Sequence, residues 1–431
     1  LCAARSPSSS CVTTICTSAG MLDTGAQFAG RGISTQVLPL PVTSEQIRGC
    51  RADVALVNTR SRHMAPEDAY KCVYQLAKAA AEAGVQILYK KTDSALRGHI
   101  GAELAAMSDA AGKKSVAFLP AYPELGRRTK VGIQYVNGVP LSESPFSRDA
   151  LEPSTESDIC RILGRETEIP SLVIPVERQQ IPRGAGSRQI VVFDAEREGE
   201  MDRRICQLLS RRDERLLVAG CAGLAKELAG FLAPSPQMKV FPLQKNLFVL
   251  CGTNHAVTTG QILHAQQNGF VRISIPIEEL VGGKVHSDRI RMLRDACKQG
   301  KPVIADIDRE NPMEVQPEIS KKIVDGLSSV LLSCQDVLTE YTLFLTGGDT
   351  LGSYLEHSGC KQILILGEIL PGTPISLLRF ADRQQCVISK SGGYGAENVL
   401  TSCAEKLEQG SFSAAASIEP NAYNEKETSK K

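Results

Sequence analysis

The chain has 431 residues, of which 42% are hydrophobic and 23% charged, and its formal net charge is +1. That balance excludes disorder along the whole chain, and the near-zero charge excludes broad attraction to nucleic acid or an anionic membrane, so an anionic ligand needs a local site. At roughly 100 to 200 residues per domain, two domains are expected. Fourteen cysteines occur singly with no CxxC pair, and the six histidines show no His-x3-His spacing. They read as thiols of a reducing compartment, not as a disulfide framework or a zinc site. No run of 18 apolar residues and no basic start followed by an apolar stretch occurs, so a cytoplasmic location without membrane contact is expected.

Short apolar runs predict buried strands at 53–58, 85–90, 115–120, 189–194 and 216–220. Between the first two lies a helix that starts at Pro66 with Glu67 and Asp68 in its first turn. It carries Ala69, Val73, Leu76, Ala77 and Ala80 on one face and stops at Gly84. Strand, helix, strand implies a parallel sheet covered by helices. The stretch 233–239 holds two prolines in seven residues and ends this first domain, 1–232, with a linker expected over 233–245. Strands follow at 246–251, 270–275, 302–306, 341–346, 362–366 and 386–389, giving a second domain over 246–409. Residues 410–431 lack periodicity and read as a disordered tail. The fold class is therefore α/β, with two domains, each a mostly parallel sheet flanked by helices, and an active-site cleft between them.

Polar residues gather where these strands end, the usual ligand position in open parallel sheets. The strand at 85–90 runs into Lys91, Asp93, Ser94, Arg97, Gly98 and His99. The cations suit a carboxylate and the others suit hydroxyl groups, although Asp93 or Ser94 could equally cap the next helix. A second loop, 120–138, holds Arg127, Arg128 and Lys130 and reads as a basic turn. In the second domain, glycines stand at three strand ends: Gly252 with Thr253 and His255, Gly347 and Gly348 with Asp349 and Thr350, and Gly392 with Gly393. Each suits a packing turn as well as a phosphate, but three together favour a phosphate-bearing ligand. Neither GxxxxGK[ST] nor a strand-linked GxGxxG occurs, so P-loop and dinucleotide folds lack support.

Longer phrases add to this: VALVNTRSRHMAPEDAY (54–70), YKKTDSALRGHIGAEL (89–104), VNGVPLSESPFSRDALEPSTES (136–157), TGGDT (346–350), GEILPGTP (367–374) and KSGGYG (390–395). Over residues 20 to 405 the chain resembles the four-carbon acid sugar kinase family. The resemblance implies a sugar-acid-binding N-terminal domain, a nucleotide-binding C-terminal domain, and ATP-dependent phosphorylation of D-threonate, D-erythronate or a 3-oxo-tetronate with Mg2+. Carried over, the family's DSxLRG loop falls on Asp93, Ser94, Leu96, Arg97 and Gly98 as substrate contacts, beside Lys91 and His99. Nucleotide contacts fall on Thr253, His255, Gly347, Gly348, Asp349, Thr350 and Gly392. Asp349 and Glu368 are candidates for orienting the metal, though each also suits a cap or a surface position. The partners implied are a small sugar acid and ATP, with self-association left open.

One departure stands out. Family members carry DDxTGA after the first strand, and here its aspartates fall on Cys16 and Thr17, while Gly20 keeps its place and Asp23, Thr24 and Gly25 follow. The chain begins with Leu1, and its first twenty residues read as foreign to the body, with 12–15 still able to form a strand. Asp93 or Asp23 then remains for catalysis. The alternative is an impaired paralogue that binds both ligands without turning them over. A sugar-phosphate oxidoreductase is a third reading, and it lacks its fingerprint.

Overall fold

The computed structural model describes residues 12–16, 20–148, 152–178, 188–209, 215–233, 238–253, 255–283, 285–308 and 317–415. The first half builds β1 (Val12–Cys16), α1 (Met21–Ala29), β2 (Thr35–Leu38), α2 (Ser44–Gly49), β3 (Val54–Asn58), α3 (Pro66–Glu82), β4 (Ile87–Lys91), α4 (Ile100–Ala110) and β5 (Val116–Leu119). A small antiparallel sheet follows, made of β6 (Arg127–Lys130), β7 (Ile133–Val136) and β8 (Val139–Pro140). Then come α5 (Ile159–Gly164), β9 (Ser171–Ile174), β10 (Ile190–Phe193), α6 (Glu198–Leu209), β11 (Leu216–Gly220) and α7 (Ala222–Leu232). The second half holds β12 (Met238–Pro242), β13 (Asn246–Cys251), α8 (Ala256–Gln267), β14 (Val271–Ile275), α9 (Ile277–Val281), α10 (Ser287–Lys298) and β15 (Val303–Ile307). It closes with α11 (Pro317–Ser333), β16 (Tyr341–Thr346), α12 (Gly348–His357), β17 (Gln362–Leu370), β18 (Thr373–Arg379), β19 (Gln384–Lys390), α13 (Val399–Glu408) and β20 (Ser411–Ala415).

The helix α3 forms as its punctuation predicts, with proline in the first turn and the expected face of Ala69, Val73, Leu76, Ala77 and Ala80 buried. The first strand forms too, and every residue of β1 is buried between β3 and β4. Strands of a parallel sheet covered on both faces must be apolar along their whole length, which is why β3, β5 and β16 read as unbroken runs.

Two expectations change. The sheets are not separate: all strands but β6, β7, β8, β12 and β20 join one fifteen-stranded sheet in the order β14-β15-β13-β16-β19-β18-β17-β2-β3-β1-β4-β11-β5-β10-β9. The join is antiparallel, Ile363 beside Val37 and Leu364 beside Gln36, and it satisfies the edge that each half would otherwise expose. The linker and tail also differ, because β12 lies inside 233–245 and β20 inside 410–431, and the two pair antiparallel. Buried Phe241 anchors β12 in the core of the second half, with Phe412 packed against that core, so these residues have an apolar reason to order. Residues 416–431 lie outside the described residues.

Candidate active site

The sheet brings Cys16, Asn58 and Lys91 side by side at the carboxyl ends of β1, β3 and β4. Cys16 is fully buried, and burial, opposed by Lys91 and Lys90, pushes its thiol up to about 12. A neutral group thus stands at the first of the two acid positions, and Thr17 lies outside the described residues. Below it, fully buried Lys90 pairs with Glu103 at 3.1 Å and donates to the Lys91 carbonyl at 2.9 Å. Burial lowers the Lys90 pKa, and Glu103 holds it up. Buried Lys91 comes so close to Gly20 that a Cβ there would collide with its ammonium. Asp23, in the first turn of α1, is raised by burial and lowered by Lys91. The two therefore share one corner.

The loop after β4 is organised by Asp93. Its carboxylate accepts from the Ala95 N–H at 3.2 Å, from Arg97 Nε at 2.8 Å and from Arg97 Nη2 at 3.2 Å. Burial works to raise it, but Arg97, Arg62 and Lys91 hold it well below the usual carboxylate range. Leu96 and Gly98 take positive φ, 56° and 86°, to close this turn. Arg97, expected to meet a substrate carboxylate, thus has its fork on Asp93, and its guanidinium carbon lies 5.2 Å from the Phe146 ring centroid. His99 also differs from expectation. Its Nδ1 lies 2.8 Å from Glu166 and its Nε2 2.7 Å from the Met64 carbonyl, so the ring ties segments together, and Glu166 raises its pKa against burial. Ser94 offers its carbonyl to Gln134 at 3.5 Å. A cavity of about 290 Å³ on this loop is lined by Glu152, Glu156 and Glu166 besides Arg97, Gly98 and His99.

In the second half, the turn after β19 is held from behind. Lys390 is buried, donates to the carbonyls of Ser391 at 2.8 Å and Tyr394 at 2.9 Å, and lies 3.5 Å from that of Gly392. Gln261 donates to the carbonyls of Tyr394, Gly395 and Ala396 at 3.0 Å each. A trans peptide points its N–H opposite to its C=O, so the N–H groups of Gly392, Gly393, Gly395, Ala396 and Glu397 turn outward. Such a row of N–H groups is a concavity for anions. Burial brings Lys390 down to about 8. Alongside, Gly347 at φ 100° starts α12, with Gly348 and Asp349 exposed at its first turn and Thr350 buried against Gly252. A Cβ at Gly392 would lie 2.6 Å from Thr253 Oγ1, and one at Gly393 would lie 2.9 Å from His255 Nε2. Thr253, His255, Gly347 to Thr350 and Gly392 therefore form one rim.

The two halves face each other across this rim. Arg60 pairs with Glu356 of α12 at 3.2 Å, and His63, raised chiefly by its hydrogen bond to Glu152, also feels Asp349. Glu368 near the end of β17 is pushed up to about 7 by burial and by Asp23, with the Gly372 N–H pulling the other way at 3.1 Å. Burial, Glu368 and Asp23 together raise the Tyr394 phenol. Sequence reasoning left Glu368 as a surface or metal-orienting acid and missed Tyr394, Gln261 and the carbonyl-gathering role of Lys390. The phrase KSGGYG held that signal, since lysine ends an apolar strand there.

A family model described as a sugar-binding N-terminal domain matches residues 19–228, and one described as a nucleotide-binding C-terminal domain matches 248–400. This chain belongs to the four-carbon acid sugar kinase family. Among curated members of the family, a D-threonate kinase of Salmonella typhimurium is 28% identical over 90% of this chain and 96% of its own. A D-erythronate kinase of Heliobacterium modesticaldum is 25% identical over 89% and 94%, and a 3-oxo-tetronate kinase of Methylobacterium radiotolerans is 24% identical over 80% and 87%. The fold is shared with a crystal structure from Salmonella typhimurium LT2, with TM-score 0.72 and 21% identity over 92% and 98% of the two chains. A Haemophilus influenzae structure of the DUF1537 group gives TM-score 0.68 and 18% identity over 92% and 99%. Among the described residues of this family member, no three His, Cys, Asp or Glu side chains gather to hold a metal, and no helix is long and apolar enough to cross a membrane.

Proposed function

We propose that this family member transfers the terminal phosphoryl group of ATP to a hydroxyl of a four-carbon sugar acid. The observation that carries this reading is the gathering of the Ser391, Tyr394, Gly395 and Ala396 carbonyls by Lys390 and Gln261, which turns the N–H groups that follow away from those side chains, on a turn whose Tyr394 also feels Asp23. Phosphoryl transfer asks for positioning and charge neutralisation. The N–H groups and the start of α12 hold phosphates. Lys91 offers an ammonium to the acceptor or the transferred group. Asp23, raised by burial, accepts the hydroxyl proton as the new P–O bond forms and the bond to ADP breaks. Asp93 is the poorer base, since Arg97 keeps its carboxylate ionised.

A Mg2+ ion on the phosphates would neutralise charge there, and such an ion needs only one or two protein carboxylates. Glu368 fits that demand, because burial and the neighbouring Asp23 raise the cost of ionising it, a cost that a cation would offset. The buried, neutral Cys16 supports a second reading, a protein that binds both ligands and turns over slowly. A coupled ADP-release assay with D-threonate, D-erythronate, L-threonate and 3-oxo-tetronates separates them. Turnover with one acid supports the kinase. Calorimetric binding of acid and ATP without turnover supports the second reading, and absence of both overturns the proposal.

A further inference from the structure

Several cations near the acid loop are matched to a carboxylate, and Arg127 is not. Arg97 pairs with Asp93 at 2.8 Å, Arg62 with Glu152 at 2.5 Å and Lys90 with Glu103 at 3.1 Å, while Lys91 has Asp23 beside it. Arg127 opens β6 and is partly buried, yet among the described residues no carboxylate lies within ion-pair distance of it. Its Nη1 donates to the Leu125 carbonyl at 2.6 Å, and its buried Nε meets no acceptor. Its guanidinium carbon sits 5.3 Å from the centroid of Phe146, the same ring that carries Arg97.

Position decides what this cation is for. The groups that act on Arg127 are Cys221 at the end of β11, Asp93 of the acid loop, Tyr394 of the opposite half, and Arg97. Burial depresses its pKa against partial support from Cys221, Asp93 and Tyr394, and Asp93 is already engaged by Arg97, so the guanidinium is only partly compensated. Leaving such a charge unpaired is costly unless a ligand supplies the counter-ion. Arginine on an aromatic ring, with its fork half engaged, is suited to planar recognition of a carboxylate.

Resting on the kinase reading above, we infer that Arg127, and not Arg97, recognises the substrate carboxylate and selects sugar acids over neutral polyols of the same length. Arg97 keeps a positioning role: it holds Asp93 and the turn, and it lies against the Phe146 ring. A neutral four-carbon alditol presents the same hydroxyls but leaves Arg127 without a carboxylate partner, so it is the poorer ligand.

The test compares wild type, Arg127→Met and Arg127→Lys with the preferred acid, with threitol or erythritol, and with ATP. Arg127→Met is expected to raise KM for the acid by about tenfold to a hundredfold. KM for ATP should stay within about twofold, and preference for acid over alditol should shrink by the same factor as the acid KM rises. Arg127→Lys, which keeps the charge and loses the fork, should fall between. ATP-induced thermal protection reports that each variant is folded, and if Arg127→Met does not fold, the acid-to-alditol ratio of Arg127→Lys decides. An unchanged acid KM, or an equal loss for acid and alditol, overturns the assignment while leaving the kinase reading intact. If wild type neither binds nor phosphorylates any four-carbon acid, the kinase reading falls, and this assignment falls with it.

Discussion

Replacing Glu103 with leucine should strand the Lys90 ammonium, because both side chains are sealed from solvent, at 0% and 1% exposure, and lie 3.1 Å apart. At an effective dielectric of about 20 their attraction is about 5 kcal/mol, and removing one partner of a buried pair typically costs about 3–5 kcal/mol. The Ser61 hydroxyl, which donates to the other Glu103 oxygen, loses its acceptor as well, adding about 1 kcal/mol. In a domain of roughly 200 residues, each kcal/mol moves Tm by about 2–4 °C, so Glu103→Leu should lower Tm by about 8–24 °C. The double variant Lys90→Met with Glu103→Leu removes both charges and should recover most of the loss, since an apolar pair of similar volume is often as stable as the ions. Thermal unfolding followed by circular dichroism, with urea midpoints as a second measure, gives the coupling between the two positions. A single-variant shift below about 2 °C, or a double variant no better than Glu103→Leu, would refute the view that this pair supports the floor of the site.

Gly392→Val would drive a branched side chain into Thr253, 2.6 Å from where its Cβ would lie, so KM for ATP should rise more than about tenfold with acid binding unchanged; normal ATP binding by calorimetry would move the phosphate site. Cys16→Asp with Thr17→Asp should raise kcat by about 10²- to 10⁴-fold and shift either KM little, and no gain in folded protein would show that these positions are not catalytic. Lys390, at about 8, carries its charge below that pH and loses it above, so kcat/KM for ATP should fall as pH rises through about 8. A profile flat to pH 10 contradicts that role. Its stability effect has the opposite sign: burying the cation costs stability below about 8, and that cost is relieved between 8 and the unfolded value of 10.5, where the unfolded chain binds more protons.

Strands buried on both faces announce themselves, and β4, β13 and β16 are legible as apolar runs within two residues of their ends. The run Gln362 to Leu370 reads as a short strand because Gly367 interrupts it. In the fold Gly367 takes φ 148° at a bulge, and β17 continues beyond it to pair with β18. Pro374 hides β18 for a similar reason, since proline in an apolar run argues against a strand unless a bulge accommodates it. The join of β2 to β17 involves four-residue β2, too short to show periodicity. In the site, residue types were legible and pairing was not. Asp93 and Arg97 stand four apart in a loop, and nothing in the spelling says that they bind each other. Arg127 reads as one of three basic residues in a turn, and burial distinguishes it from exposed Arg128.

The antiparallel seam between β2 and β17 has a mechanical consequence. Kinases built from two independent lobes close like jaws about a flexible hinge, but here a ladder of backbone bonds crosses the boundary, and Gly25 of α1 is pressed against Ile365 of β17 beside it. Swinging the halves apart would tear that ladder, whereas changing the twist of the sheet leaves it whole. The body therefore flexes as a leaf spring flexes, in torsion. Torsion about the seam alters the angle at which the acid loop meets the phosphate turns more than the gap between them, so alignment of the hydroxyl with the phosphorus is the coordinate that such a frame can tune.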